Sequence, residues 1–183
     1  MLIRANTSCL LVVDIQARLA PVMAEPEKVV GNTALLLKAA GRLDVPVLVS
    51  EQYPAGIGHT VSDLTPLFTR ECVVEKMHFS CLGEDAYRRR LEGLDRTQAV
   101  VAGIEAHVCV LQTTEDLLSA GLDVFVVADA TSSRKRSNHE AALERLRSAG
   151  ARIVTTEMVM FEWLGKAGTA AFKDIIPLIK SAE

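Results

Sequence analysis

Three residues able to do covalent chemistry fall at the ends of apolar runs. Asp14 follows residues 9–13, Lys76 follows residues 72–75, and Cys109 stands a few residues beyond 99–103, after Gly103, Ile104 and Glu105. A thiol in the first turn of a helix starting near Ala106 would feel the positive end of the helix dipole, which favours thiolate. Lys76 would push the same way. Asp14 could accept the thiol proton and later return it to a leaving group. Backbone N–H groups of the turn from Ile104 to Cys109 could hold a developing oxyanion. Together these roles describe a cysteine hydrolase that needs neither metal nor cofactor. Singly, each residue also has a plainer role: Asp14 as a turn cap, Lys76 as a solvated strand end, and Cys109 as a small apolar residue beside Val110, Leu117 and Leu118 on an amphipathic helix.

These residues meet only if the chain folds so that the strand ends share an edge. Apolar runs recur at 9–13, 45–50, 72–75, 99–103, 124–128 and 152–155. They are continuous instead of alternating, as strands covered on both faces are. Helical periodicity fills the intervals. Pro26 lies in a first turn before residues 28–40, and Gly41, Gly121 and Gly150 read as helix-ending glycines, each soon followed by a β-rich run. Alternation of this kind predicts a three-layer α/β/α sandwich with a six-stranded, mainly parallel sheet. At 183 residues it forms one domain, 1–183. Ligands of such sheets gather at the carboxyl ends of the strands, where Asp14, Lys76 and the turn after Gly103 fall. Residues 53–65, with Pro54, Gly56, Gly58 and Ser62, predict a long loop beyond the second strand.

Composition narrows the partners. Twenty Lys and Arg stand against 23 Asp and Glu, a net charge of −3, so no broad field attracts polyanions, and 4% aromatic residues supply few stacking platforms. Neither nucleic acid nor membrane is an expected partner, although Arg134, Lys135 and Arg136 could make a local anion contact. The run 9–13 is interrupted by Asp14, with no cleavage site after it, and no apolar stretch approaches the ~20 residues of a membrane span. The expected compartment is the cytoplasm, where thiols stay reduced. Cys9 and Cys72 read as core, Cys81 as a neighbour of the cleft, and no C-x-x-C pair exists. His59, His78, His107 and His139 lack metal-ligand spacing, and Gly103 alone makes no dinucleotide cradle.

The segments LLVVDIQARLAPVM, VSEQYPAGIGHTV, VVEKMHFSCL and VVAGIEAHVCVLQTTEDLL together resemble the isochorismatase-like cysteine hydrolases, most nearly the isochorismatase domain-containing proteins. The resemblance implies a Rossmann-like six-stranded parallel sheet and an Asp, Lys and Cys triad at Asp14, Lys76 and Cys109. It also implies a cis peptide before Glu105, and an oxyanion hole made by the backbone N–H groups of Glu105 and Cys109. Nicotinamidases of this family carry a D-x-H metal pair after the second strand. Here Glu51, Gln52 and Tyr53 stand there. True isochorismatases cleave a vinyl ether without a thiol, whereas Cys109 is present, so amide, imide or ester hydrolysis fits better. Known members are often dimers or larger, which implies a homo-oligomer.

The sequence therefore predicts a hydrolase of a small-molecule substrate, with Asp14, Lys76 and Cys109 catalytic and Gln16, Tyr53, His78 and His107 lining the pocket. A second reading keeps the same fold as a homo-oligomeric binding or scaffold protein with little turnover. A third, a thiol redox sensor, would need Cys81 as resolving partner.

Overall fold

In the computed structural model, which describes residues 1–180, the apolar runs form one sheet: β1 (Ser8–Val13), β2 (Val47–Gln52), β3 (Val73–Lys76), β4 (Gln98–Ile104), β5 (Asp123–Ser132) and β6 (Arg152–Val154). Their order is β3-β2-β1-β4-β5-β6, and every neighbouring pair is parallel. Side chains alternate across a strand, so each run feeds two cores. Leu10, Val12, Val100, Ala102 and Phe125 pack on one face against α1 (Pro26–Arg42), α6 (Thr156–Leu164) and α7 (Ala170–Lys180). Leu11, Val13, Leu48, Val101 and Val126 pack on the other. There they meet α3 (Asp85–Gly93), α4 (Leu111–Ser119) and α5 (Arg136–Ala149); α2 (Pro54–Ile57) is a single turn. Helices on both faces complete the sandwich.

Several local expectations change. Gly41 lies inside the last turn of α1, whose ending is made by Leu43 donating to the carbonyls of Ala39 and Ala40, and the left-handed residue is Asp44. An aspartate tolerates that conformation, so no glycine was needed. Gly121 and Gly150 do adopt positive φ behind α4 and α5. Cys72 is half-buried in a 3-10 turn before β3, not within the strand. The 53–65 segment is more ordered than a plain loop: it holds α2 and an isolated antiparallel bridge from Thr60 to Gln16.

The chain builds β1, β2 and β3 outward in one direction and then returns to lay β4 on the opposite side of β1. Strand order thus reverses between β1 and β4, which opens a crevice at their carboxyl ends.

Candidate active site

Val13, the last residue of β1, is in register with Ser50 of β2 and Gly103 of β4, and Gln52 is in register with Lys76. The strands therefore deliver Asp14, Ser50, Gln52, Lys76 and Glu105 to one rim. Close approach decides the β1–β4 side. Gly103 has φ +137°, and a Cβ there would lie 2.1 Å from the Val13 carbonyl oxygen, so no residue with a side chain fits. Ser50, Gln52 and Lys76 continue the parity of Leu48 and Val74, which points them to the face that α4 covers.

Asp14 turns out of β1 with φ 53° while its N–H still donates to the Ser50 carbonyl at 3.2 Å. Its carboxylate is fully buried and held on both oxygens. Ser50 Oγ donates to Oδ1 at 2.7 Å, and Lys76 Nζ lies 2.8 Å from Oδ2. The Lys76 ammonium also donates to Gln52 Oε1 (2.6 Å) and to the carbonyls of His78 (3.2 Å) and Phe79 (3.0 Å). Lys76 is thus a buried, fully satisfied cation, not a solvated strand end. Burial pulls its ammonium down, but the Asp14 carboxylate and the nearby thiols outweigh this, and the net direction is up.

Cys109 sits in a π-helical turn, Ala106–Val110, that leads into α4. Its thiol is nearly buried and lies within the electrostatic reach of Asp14 and Lys76. Burial, then the Asp14 carboxylate, push the thiol far up; Lys76 opposes them and loses. The sequence expectation of a lowered thiol meets the opposite direction here: burial and the Asp14 carboxylate favour the protonated sulfur over what the helix start and the ammonium would give. Cys81 is buried beside the same groups, with burial and Asp14 raising it to about 11. Its N–H donates to Thr113 Oγ1, one helical turn beyond Cys109. Cys9 lies in the core, where burial takes it to about 12.

The peptide between Ile104 and Glu105 is cis. The Glu105 carboxylate turns away from the triad to Arg134, accepting from its N–H (3.0 Å) and its Nε (3.2 Å to either oxygen). His107 is half-buried, with Nδ1 2.9 Å from Ser133 Oγ and Nε2 3.2 Å from Asn138 Nδ2. The amide nitrogen can only donate, so Nε2 accepts and Nδ1–H donates to Ser133. Tyr53 is half-exposed with φ 36° and borders a cavity of about 230 Å³ with Pro54, Lys76, Met77 and Glu84. His78 is exposed and braced by Glu84 at 2.8 Å. Gln16 departs from its expected place in the lining. It is fully buried, its amide donates to the carbonyls of Gln52 and Gly58, and its oxygen accepts from Gln52 N–H, so no donor remains for a ligand.

Sequence reading missed Ser50 and Gln52, which hold the Asp14 carboxylate and the Lys76 ammonium; their signal was polarity in a strand that begins apolar. It also left Glu51 without a role. Glu51 points to the opposite face, accepts from Thr60 N–H and Oγ1 at 2.8 Å, and faces His59 Nδ1 at 2.8 Å. Among the described residues no cluster of three or more His, Cys, Asp or Glu is arranged to hold a metal ion.

The family model "Isochorismatase domain" matches residues 8–158. The chain belongs to the isochorismatase family. Isochorismatase family protein 1A of Dictyostelium discoideum is 38% identical over 177 residues, 94% of this chain and 86% of that one. Isochorismatase domain-containing protein 2A of Mus musculus is 39% identical over 176 residues, covering 96% of this chain and 84% of the relative. Among solved structures, one named MAR1 ribonuclease from Caenorhabditis elegans is 35% identical and superposes with a TM-score of 0.93 over 100% of this chain and 95% of that chain. The all-parallel six-stranded sheet of this isochorismatase-family chain is thus the family fold. No helix among the described residues is long and apolar enough to cross a membrane.

Proposed function

We propose that the protein is a cysteine hydrolase of a small amide, imide or ester, working through an acyl-enzyme and requiring no metal. The observation that carries this reading is a carboxylate paired with a buried ammonium at 2.8 Å, with the nearly buried Cys109 thiol within the electrostatic reach of both. A thiol raised above its free value needs a base, and Asp14 is the carboxylate that acts on it. As sulfur bonds to the substrate carbonyl carbon, the thiol proton passes to Asp14, and the carbonyl electrons move to oxygen. The backbone N–H groups of Glu105 and Cys109 would hold that oxyanion. Collapse breaks the bond to the amine or alcohol, which leaves with the proton from Asp14, and a thioester remains. Water then gives a proton to Asp14, attacks the thioester and releases the acid, and the proton returns to sulfur. Lys76 keeps Asp14 oriented and charged between the transfers.

In the same reading Tyr53, His78 and His107 line the approach, the working protein is a cytoplasmic homo-oligomer, and neither nucleic acid nor membrane is its partner. A panel of small amides, imides and esters should give turnover that Cys109→Ala abolishes, with an acyl adduct on Cys109 detectable by mass spectrometry. Since a 35% identical chain carries the name ribonuclease, the panel should include an RNA oligonucleotide. RNA cleavage that survives Cys109→Ala would replace this reading. A protein that turns over nothing while binding small ligands would support the scaffold alternative.

A further inference from the structure

We infer that Ser50 is a positioning residue for the proton transfer between Cys109 and Asp14: its hydroxyl divides the work of the carboxylate, leaving Oδ2 to the Lys76 ammonium and Oδ1 to the travelling proton. This rests on the reading of Asp14 as the base of a Cys109 hydrolase.

The geometry begins with the place of Ser50 in the sheet. β2 lies between β1, which delivers the acid, and β3, which delivers the ammonium, and Ser50 is in register with Val13 on one side and Val74 on the other. It is fully buried. A buried hydroxyl is costly unless it finds a hydrogen-bond partner. Here the partner is Asp14, held twice: its N–H donates to the Ser50 carbonyl at 3.2 Å, and Ser50 Oγ donates to Oδ1 at 2.7 Å. Asp14 bends out of β1 with φ 53°, and its carboxylate comes to rest against the neighbouring strand. Ser50 has one side-chain torsion before its oxygen and stands on a strand paired along both edges, so it fixes Oδ1 with little freedom of its own.

The two partners of the carboxylate differ in one property. An ammonium only donates, whereas a hydroxyl donates or accepts. A proton placed on Oδ2 would take the charge from the oxygen that holds Lys76 at 2.8 Å. On Oδ1 it leaves that contact in place. The 2.7 Å contact survives as well: Ser50 keeps donating if the proton takes the far lone pair, and turns to accept if it takes the near one. As sulfur bonds to the substrate carbonyl carbon, the S–H bond breaks and its proton goes to Oδ1, while Oδ2 becomes the carbonyl oxygen of the acid and still accepts from Lys76. On collapse the proton leaves Oδ1 for the departing amine or alcohol. Ser50 itself, being fully buried, presents no surface to a substrate.

A double-mutant cycle tests this with Ser50→Thr and Ser50→Val, each alone and combined with Asp14→Asn. Threonine and valine share a shape and differ in the hydroxyl, and circular dichroism checks folding. On a substrate from the panel of amides, imides and esters, Ser50→Val should lower kcat by about tenfold or more with KM within about twofold of the wild type, and Ser50→Thr should recover most of the loss. In the Asp14→Asn background the two should be equal. A second readout needs no turnover. The Ser50 hydroxyl offsets part of the Asp14 charge, so the inflection of iodoacetamide labelling at Cys109 should lie about half a pH unit or more higher in Ser50→Val than in Ser50→Thr, and the difference should vanish in Asp14→Asn. Equal kcat in the two variants, a loss expressed in KM instead, or a threonine–valine difference that persists without the Asp14 carboxylate would overturn the inference. Should Ser50→Val not fold, Ser50→Ala, which deletes a single oxygen, takes its place in the same comparison. The two readings fail separately. An Asp14-dependent labelling difference in a protein that turns over no amide, imide or ester sinks the hydrolase and leaves Ser50 as the partner that sets Asp14. Turnover abolished by Cys109→Ala but untouched by Ser50→Ala does the reverse.

Discussion

The Lys76 ammonium stands 2.8 Å from Asp14 Oδ2, and both side chains are withdrawn completely from solvent. Desolvating two charges is costly, and here the cost is offset by a ring of oxygens from Asp14, Gln52, His78 and Phe79 around one ammonium. The pair is therefore more sensitive to losing one member than to losing both. Lys76→Met should destabilise the protein by about 3 kcal/mol or more, because it strands a buried carboxylate. The double variant Asp14→Asn/Lys76→Met should regain part of that loss in urea unfolding. A double variant no more stable than Lys76→Met would mean that the two charges are not coupled.

The same carboxylate sets the chemistry of Cys109. Burial and Asp14 both hold the proton on sulfur, so alkylation by iodoacetamide should rise with pH to an inflection above the ~8.5 of a free thiol. Asp14→Asn removes one of those influences. It should speed alkylation at neutral pH while lowering hydrolysis by about 100-fold or more through loss of the base. Lys76→Met should move the alkylation inflection the other way. The opposite responses of labelling and turnover to Asp14→Asn separate a proton-transfer role from simple damage to the pocket.

Gly103 ties the fold to the site. With φ +137° and the Val13 carbonyl oxygen 2.1 Å from any added Cβ, Gly103→Ala must push β4 from β1 at the strand ends that carry Asp14 and Glu105. A loss of about 3 kcal/mol or more is expected in thermal or urea unfolding, in the range of severe backbone clashes. Gly121→Ala, where positive φ is strained but nothing lies within 4 Å of the added carbon, should cost less.

How far the sequence revealed all this depended on the range of the interactions. Six strands and the rim positions of Asp14, Lys76 and Cys109 were legible because burial on both faces leaves continuous apolar runs that end in polar residues. The ionisation of Cys109 was not. It depends on burial and on the carboxylate of Asp14, 95 positions away in the chain, and local helix-start reasoning points the other way. Gln16 looked like a ligand contact because it follows Asp14 by two residues, but the loop brings Gly58 and Gln52 to consume its amide. Gly41 failed for a smaller reason: Asp44 could supply the left-handed turn three residues later. The Glu105–Arg134 clamp joins two loops and left only a cluster of three cations as its trace.

Glu51 links the second strand to the segment 53–65, and its ionisation gives that link a pH dependence. Burial alone would raise its carboxyl, but hydrogen bonds from His59 and from Thr60 N–H and Oγ1 outweigh burial and hold it below the usual range. A carboxyl lowered on folding contributes fully above its unfolded value of ~4.3, and that contribution is lost as pH falls through the folded value. Glu84, held at about 2 by Met77 N–H and by His78, acts in the same direction on the loop that covers Lys76. The wild type should therefore lose stability steadily on acidification below about pH 5. Glu51→Gln should cost about 1–3 kcal/mol at neutral pH, where it gives up charge-assisted hydrogen bonds, and should show a shallower decline between about pH 5 and 3. Hydrogen exchange at Thr60 and Val61, whose N–H groups bond Glu51 and Ile15, should rise in the variant before exchange in β1 does. An acid decline as steep in Glu51→Gln as in the wild type would show that this carboxylate is not the clamp.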